Sequence, residues 1–190
     1  MAVEPNTVVT MPVLALRGLT IFPNMLLHFD VGRDTSIKAL DQAMSEGLPI
    51  FLVAQRDLSV EEPGQEDLYH IGTISNVKQI LRLPGGNVRV MVEGSSRGRL
   101  LGLSQSAPFL QGAVEYLPVP EHTRNTPKTE ALIRSTYELF ESYAGLSPRM
   151  TGDVLISVLA SDDPGYIADY IAQNIAMRAS DKQGILEELR

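Results

Sequence analysis

The 190-residue sequence contains neither cysteine nor tryptophan. Without cysteine the chain has no disulfide, no thiolate metal ligand and no thiol nucleophile, and such a composition is typical of proteins in a reducing cytoplasm. No apolar run approaches the ~18 residues that a membrane span needs. The first residues, MAVEPNTVV, lack the basic and apolar segments of a secretory signal. We therefore expect a cytoplasmic protein without a membrane partner.

Catalytic motifs are absent as well. There is no Gly-x-x-x-x-Gly-Lys-Ser/Thr loop to cradle ATP phosphates and no Gly-x-Ser-x-Gly nucleophile elbow. The three histidines, His28, His70 and His122, are too scattered for a metal site. Helix capping and solvation explain the adjacent carboxylates at Asp162 and Asp163. We predict that the chain is not an enzyme and holds no cofactor and no metal.

Residues 11–118 have the pattern of a β-rich lobe with one helix. Thr35–Glu46 is the predicted helix, with Asp34 as its N-cap and Gly47 just after its last turn. About six strands are predicted, at Val13–Leu16, Leu26–Val31, Ile50–Ala54, Ile71–Leu83, Val88–Leu101 and Gln111–Leu117.

Gly85-Gly86 marks the clearest hairpin of the sequence. Two glycines supply the positive φ that a two-residue hairpin loop requires. After them Val88, Val90 and Val92 alternate with more polar residues, the period of a strand with one buried face. The preceding strand does not alternate cleanly, which predicts a β-bulge or a strand with two buried faces.

Residues 124–190 have the pattern of an all-α lobe. The proline-rich stretch Pro118–Pro127 lacks hydrophobic periodicity and is the predicted boundary. Four helices are expected, beginning at Thr126-Pro127, Ser147-Pro148, Asp163-Pro164 and the capping box of Ser180 and Gln183. Because the last helix reaches Arg190 without a cap, we expect the lobe to be truncated at its C-terminal end.

Several short motifs, in their order and spacing, carry a resemblance. They include Pro12-x-Leu14-x-Leu16-Arg17, Phe22-Pro23-x-Met25, Val31-Gly32-Arg33, Gln79-x-Leu81-Arg82-Leu83-Pro84 and Ile167-Ala168-Asp169-x-Ile171-Ala172. Together they resemble the N-terminal domain of the bacterial ATP-dependent Lon proteases, from about Met11 to Leu189. The resemblance implies an α+β fold, with a β-rich PUA-like lobe followed by a helical lobe.

The same resemblance implies a function without catalysis in this chain. In that family the ATP and Mg of the AAA+ domain, and the Ser-Lys dyad of an ATP-dependent serine endopeptidase, belong to later domains. The N-terminal domain is expected to recognise unfolded, misfolded or tagged proteins and to aid assembly of a homo-hexamer. A short protein that acts alone as a binding module is the alternative.

Recognition of unfolded protein calls for exposed apolar side chains on rigid elements. The turn expected at Pro23-Asn24 and the Gly85-Gly86 hairpin tip are suitable places to display them. The candidate substrate-binding residues are Phe22, Pro23, Met25, Leu26, Leu83 and Pro84. The opposing interpretation is that Phe22 and Leu26 close the core.

RNA binding is a rival interpretation, because PUA-like folds include RNA binders. Its candidate residues are Lys78, Arg82, Arg89, Arg97 and Arg99, which fall in or after the hairpin with only Glu93 opposing them. The net charge of −7 and the scarcity of nearby aromatic residues argue against a nucleic-acid partner. A stand-alone enzyme built from unmatched residues is the least favoured interpretation.

Overall fold

The computed structural model describes residues 6–118, 126–148 and 150–189. These residues form two compact units. The sheet unit comprises 6–118 with 186–189, and the helical unit comprises 126–148 and 150–185. Most of the predicted boundary at Pro118–Pro127 lies outside the described residues.

A mixed six-stranded sheet builds the sheet unit, as predicted. Its strands are β1 (Val8–Leu16), β2 (Leu26–Val31), β3 (Ile50–Ala54), β4 (Ile71–Arg82), β5 (Val88–Gln105) and β6 (Gln111–Tyr116). The spatial order is β2-β5-β4-β3-β1-β6, and a further pairing of β6 with β5 curls the sheet back on itself. With the helices, this confirms the α+β fold class.

β3 and the part of β1 that pairs with it, Val13–Leu16, run parallel and are buried on both faces. The register pairs Val13 with Phe51 and Leu16 with Ala54. Side chains alternate between two apolar clusters, so that Val13 and Phe51 join one while Leu14 and Leu52 join the other. A strand with two buried faces needs a continuous apolar sequence, which IFLVA at 50–54 supplies.

The 18-residue strand β5 connects the two halves of the sheet. Its first part pairs with β2 from Val88 to Glu93, and its second part pairs with β6 from Gly98 to Gln105. β4 follows β5 along most of its length, with irregularities after Ile74 and after Val77. These confirm the bulge predicted from the broken alternation of β4.

The hairpin between β4 and β5 is longer than the sequence suggested. Gly85 and Gly86 do adopt positive φ values of 91° and 89°. However, the last hydrogen bond before the loop joins the Leu83 amide to the Asn87 carbonyl (2.9 Å), which leaves three loop residues. The two-residue loop was wrong, because Pro84 has no amide hydrogen to continue the ladder.

The helix of the sheet unit, α1 (Asp34–Glu46), lies close to its predicted bounds. It ends at Gly47, whose φ of 63° is the left-handed conformation expected after a helix. Arg33, rather than Asp34, is the N-cap residue, and no side chain caps the helix. Asp34 is therefore the first helical residue.

Four helices make up the helical part of the chain: α2 (Pro127–Leu146), α3 (Gly152–Leu159), α4 (Pro164–Asn174) and α5 (Ala179–Glu187). Phe140, Val158 and Ile167 are the buried centre of its apolar cluster. Thr126 and Asp163 cap α2 and α4 as predicted.

Two predicted helix starts were wrong. α3 begins at Gly152 and not at Pro148, because Ser147 and Pro148 lie in the connection after α2. α5 begins at Ala179, which places Ser180 inside the helix. There the amides of Asp181 and Lys182 donate to the Arg178 carbonyl instead of to a serine cap.

Candidate functional site

The segment Phe22–Leu26 makes the predicted turn but does not display most of its side chains. Asn24 has the φ of 61° that a tight turn after Pro23 requires. Yet Phe22 is 0% exposed, Met25 is 5% exposed and Pro23 is buried. The exposure expected for these three residues was wrong, and Phe22 closes the core as the opposing interpretation held. Leu26, in contrast, is 58% exposed.

Gly94 explains why this turn folds inward. The Asn24 amide donates to the Gly94 carbonyl (2.9 Å), and the Gly94 amide donates to the Met25 carbonyl (2.9 Å). A side chain on Gly94 would place its Cβ 2.3 Å from the Phe22 carbonyl oxygen, which no real contact allows. The turn therefore packs directly on the β5 backbone, and Phe22 and Met25 are buried beside it.

The hairpin tip is more open. Pro84 is exposed and Leu83 is half-buried. These two residues keep the accessibility that the hypothesis needs. Contact of any of the six candidate residues with a substrate stays a prediction.

Two exposed leucines lie on the outer surface of β2, β5 and β4, beside the charged residues Asp30, Arg89 and Glu93. Register places Leu26, His28 and Met91 there, with Gln79 and Leu81 from β4 on the other side of β5. Leu26 and Leu81 are 58% and 53% exposed, and Met91 is partly exposed between them. We call these five residues the leucine face. Sequence reasoning identified Leu26 but missed Leu81. Side chains alternate between the two faces of a strand, so a hairpin register that pairs Leu81 with the polar residue Arg89 could have placed Leu81 on this surface.

The basic residues of this region are already engaged within the protein. Arg89 holds Asp30 through two hydrogen bonds of 2.7 and 2.9 Å. This bond from the arginine lowers the pKa of the Asp30 carboxyl and raises that of the Arg89 guanidinium. The remaining four contacts are Lys78–Glu93 (2.7 Å), Arg82–Asp41 (2.9 Å), Arg99–Glu115 (2.9 Å) and Arg97 Nε to the Leu186 carbonyl (2.9 Å). The proposed RNA patch therefore lacks free cations.

A cleft lies beside β2 in the same unit. Its volume is about 380 Å³, and we call it the β2 cleft. Its lining includes the apolar residues Leu16, Leu19, Phe29 and Val31 and the charged residues Arg17, Asp30 and Arg33. The sequence analysis noted Arg17 and Arg33 only as parts of motifs. Nothing in the sequence alone indicates that residues 16 apart would share one cleft.

Two arginines give the β2 cleft its charge. Arg33 donates to Gln55 Oε1 (2.6 Å), and both Arg33 (3.4 Å) and Arg17 (3.2 Å) donate to the Val60 carbonyl. Burial, followed by repulsion from the Arg17 cation, lowers the pKa of the Arg33 guanidinium, while Glu61 acts in the opposite direction. Because Arg89 holds the Asp30 carboxylate at this cleft, Arg17 and Arg33 leave it with a positive charge.

The described residues bring together no group of three histidine and acidic side chains that could hold a metal ion. The prediction that the chain has no cofactor stays a prediction. Nor does any helix among these residues combine the length and apolar character of a membrane span.

Comparison with known proteins gives a consistent result. A family model described as "ATP-dependent protease La (LON) substrate-binding domain" matches residues 10–190. The Lon protease of Clostridioides difficile is 43% identical over 181 residues, which is 94% of this chain and 23% of that protein. The Lon protease of Escherichia coli K12 is 38% identical over 184 residues, covering 97% of this chain and 23% of the relative. The chain thus spans about a quarter of the length of these relatives.

Solved structures share the fold. The N-terminal domain of a Mycobacterium avium complex Lon protease superposes with a TM-score of 0.75 at 22% identity, covering 96% of this chain and 91% of that one. A Lon N-terminal domain protein from Xanthomonas campestris gives a TM-score of 0.66 at 12% identity, with coverage of 95% and 91%. On the match over residues 10–190 and the identity to these relatives, the chain belongs to the family of Lon protease substrate-binding domains.

Proposed function

We propose that this chain captures unfolded, misfolded or tagged proteins for a Lon protease through apolar contacts on the leucine face. The observation that carries the proposal is the exposure of Leu26 and Leu81 on a sheet whose neighbouring charges are paired. An unfolded chain differs from a folded one mainly by its accessible apolar segments. Two exposed leucines on a rigid sheet provide a complementary surface.

Methionine at the centre of the leucine face suits a receptor that must accept many sequences. Met91 lies in register with His28 on one side and Gln79 on the other. Its flexible, polarisable side chain adapts to differently shaped apolar partners. Contacts of this kind are individually weak. In a hexameric parent, several copies would raise the effective affinity without making capture irreversible.

The remaining activities of such a parent lie outside this chain. ATP with Mg would drive unfolding, and a serine endopeptidase would cut the captured protein in the cytoplasm. The chain itself contributes recognition and supports assembly of the ring. RNA binding is disfavoured because the five basic residues considered for it contact carboxylates or, for Arg97, a backbone carbonyl.

The test is a binding titration of the double variant Leu26→Asp, Leu81→Asp with one protein in native and unfolded forms. We expect about tenfold weaker binding of the unfolded form, because two apolar contacts are replaced by charges. The melting temperature should change little, because both side chains are exposed. Leu101→Asp is the matched control, since Leu101 is 49% exposed on the second half of β5.

An NMR titration of the isotope-labelled chain locates the contact. Shifts at the leucine face with the unfolded protein alone would support the proposal. Equal binding by the double variant and the unsubstituted chain would refute the proposal. Shifts around Arg82–Arg99 on addition of single-stranded RNA would favour the rival function.

A further inference from the structure

We infer that the β2 cleft binds an extended segment of a substrate polypeptide, with apolar and acidic side chains, as an added strand on β2. The inference rests on the proposed function, since it specifies how part of an unfolded chain is held. It concerns a second site, separate from the leucine face, and it names the chemistry of the segment that fits there.

The first support is the free edge of β2. This strand pairs with β5 from Leu26 to Val31, and it ends the order of the sheet. Among the described residues no strand pairs with its other edge. A free edge offers a row of unpaired backbone amides and carbonyls, and an extended peptide can complete the ladder. Backbone bonds depend little on sequence, which suits a receptor for varied substrates.

The second support is the position of the cleft. Phe29 and Val31 of β2 line it, together with Leu16 of β1 and Leu19 in the following loop. A strand beside β2 would present alternate side chains toward this apolar lining. Phe29 and Leu19 are only partly buried, so part of their apolar surface is available to a ligand.

The third support is charge complementarity. The chain carries a net charge of −7, which generally repels acidic segments. At the β2 cleft, however, Arg17 and Arg33 both donate to the Val60 carbonyl, and the acidic lining residue Asp30 is held by Arg89. Across residues 6–118, 126–148 and 150–189, neither the Arg17 nor the Arg33 guanidinium forms an ion pair with a carboxylate. A glutamate or aspartate of the bound segment would provide that partner.

The first experiment uses fluorescent peptides of alternating apolar and glutamate residues, acetylated and amidated so that their ends carry no charge. Two isomers are methylated on alternate backbone amides, one on the odd residues and one on the even residues. Because only one set of amides faces β2 in an added strand, one isomer should bind about tenfold more weakly than the other. Equal binding of the two isomers would overturn strand addition.

The second experiment tests the charge. Replacing each glutamate of the peptide by glutamine should weaken its binding to the unsubstituted chain about fivefold, which is the effect of a partly exposed ion pair. Arg17→Glu should weaken binding of the glutamate peptide by at least that factor and reduce the preference for glutamate. Arg134→Glu on α2 is the control of equal charge change, and it should leave peptide binding intact. A glutamate preference that survives Arg17→Glu would overturn the proposed role of the cleft.

The outcomes separate this inference from the proposed function. If Arg17→Glu binds the glutamate peptide normally but Leu26→Asp, Leu81→Asp loses the unfolded protein, the cleft inference fails and the function stands. If the unsubstituted chain binds the peptide but not the unfolded protein, the proposed capture of unfolded proteins is refuted.

Discussion

The sheet unit and the helical unit bury their apolar residues in different ways. In the sheet unit, β3 and the second half of β1 are buried on both faces, and Phe22, Phe51 and Leu40 are fully inaccessible. In the helical unit, the apolar cluster centres on three buried residues. Its longest helix exposes three leucines at seven-residue spacing, Leu132, Leu139 and Leu146, by 59%, 71% and 86%. The sheet unit therefore depends on long-range packing, and the helices depend more on local interactions.

The local interactions of the helices are visible at their first turns. The Thr126 side chain accepts from the Thr129 amide, and Asp163 accepts from the amides of Gly165 and Tyr166. By contrast, α1 of the sheet unit has no side-chain cap, and its buried residues Ala39, Leu40 and Ala43 hold it against the sheet. Packing can replace capping when a helix has a sheet to cover.

Matched truncations of Phe51 and Phe140 should give the largest effect. Phe51→Ala removes a ring from the closed core of the sheet unit and should cost about 5 kcal/mol. Phe140→Ala should cost about 3 kcal/mol, because the smaller helical cluster can relax around the gap. Urea unfolding followed by amide hydrogen exchange would assign each loss to its unit. Equal losses would show that the two cores are equally tight.

Removal of a helix cap should have an intermediate effect that is confined to the helical unit. Asp163→Ala leaves the amides of Gly165 and Tyr166 without their acceptor and should cost about 1 kcal/mol. Asp34→Ala is the control in the sheet unit, because Asp34 makes no cap bond. Exchange rates of the first α4 amides would reveal the loss. A comparable cost for Asp34→Ala would contradict the contrast between capping and packing.

The smallest expected effect is on the stability of the sheet unit at acidic pH, through the pair of Asp30 and Arg89. Hydrogen bonding to Arg89 lowers the pKa of Asp30 in the folded protein, so this pair adds stability above the unfolded pKa, near 3.8. That stability is lost as the pH falls through the lower, folded pKa. Because Asp30 is solvent-exposed, the effect should be slight.

Asp30→Asn should therefore flatten the fall of the melting temperature below about pH 4. Arg89→Gln should flatten it in the same way, and the double variant should show no further change. A full additional change in the double variant would show that the two side chains act independently.

Sequence reasoning placed the sheet elements well because their signals are local. β2 and β3 occupy the predicted residues, and Gly47 ends α1 with the expected positive φ. The helix caps Thr126 and Asp163 also depend on neighbours in sequence. Errors arose where a local motif competed with another signal: α3 begins after Pro148, and Ser180 looked like a cap although α5 had already begun.

The candidate site was predictable only in part, because exposure is a long-range property. The turn at Pro23-Asn24 was correct, but whether it faces solvent depends on Gly94, about seventy residues later. The β2 cleft likewise needs Arg17 and Arg33 to meet across two elements that do not pair. The sequence reveals turns and periods, whereas the two surfaces follow from the register of distant strands.

The pairing of β1 with β6 has a consequence for folding during synthesis on the ribosome. Val8 lies opposite Glu115, and Pro12 lies opposite Gln111. β1 must therefore wait for β6, about 100 residues later in the chain, for roughly 5–20 seconds at synthesis rates of about 5–20 residues per second. The stretch VLAL at 13–16 pairs with β3, which is made earlier, but Val8–Pro12 has no strand partner until β6 is made. During its own synthesis, a protein of the Lon substrate-binding family is thus briefly the kind of unfolded chain that we propose it captures.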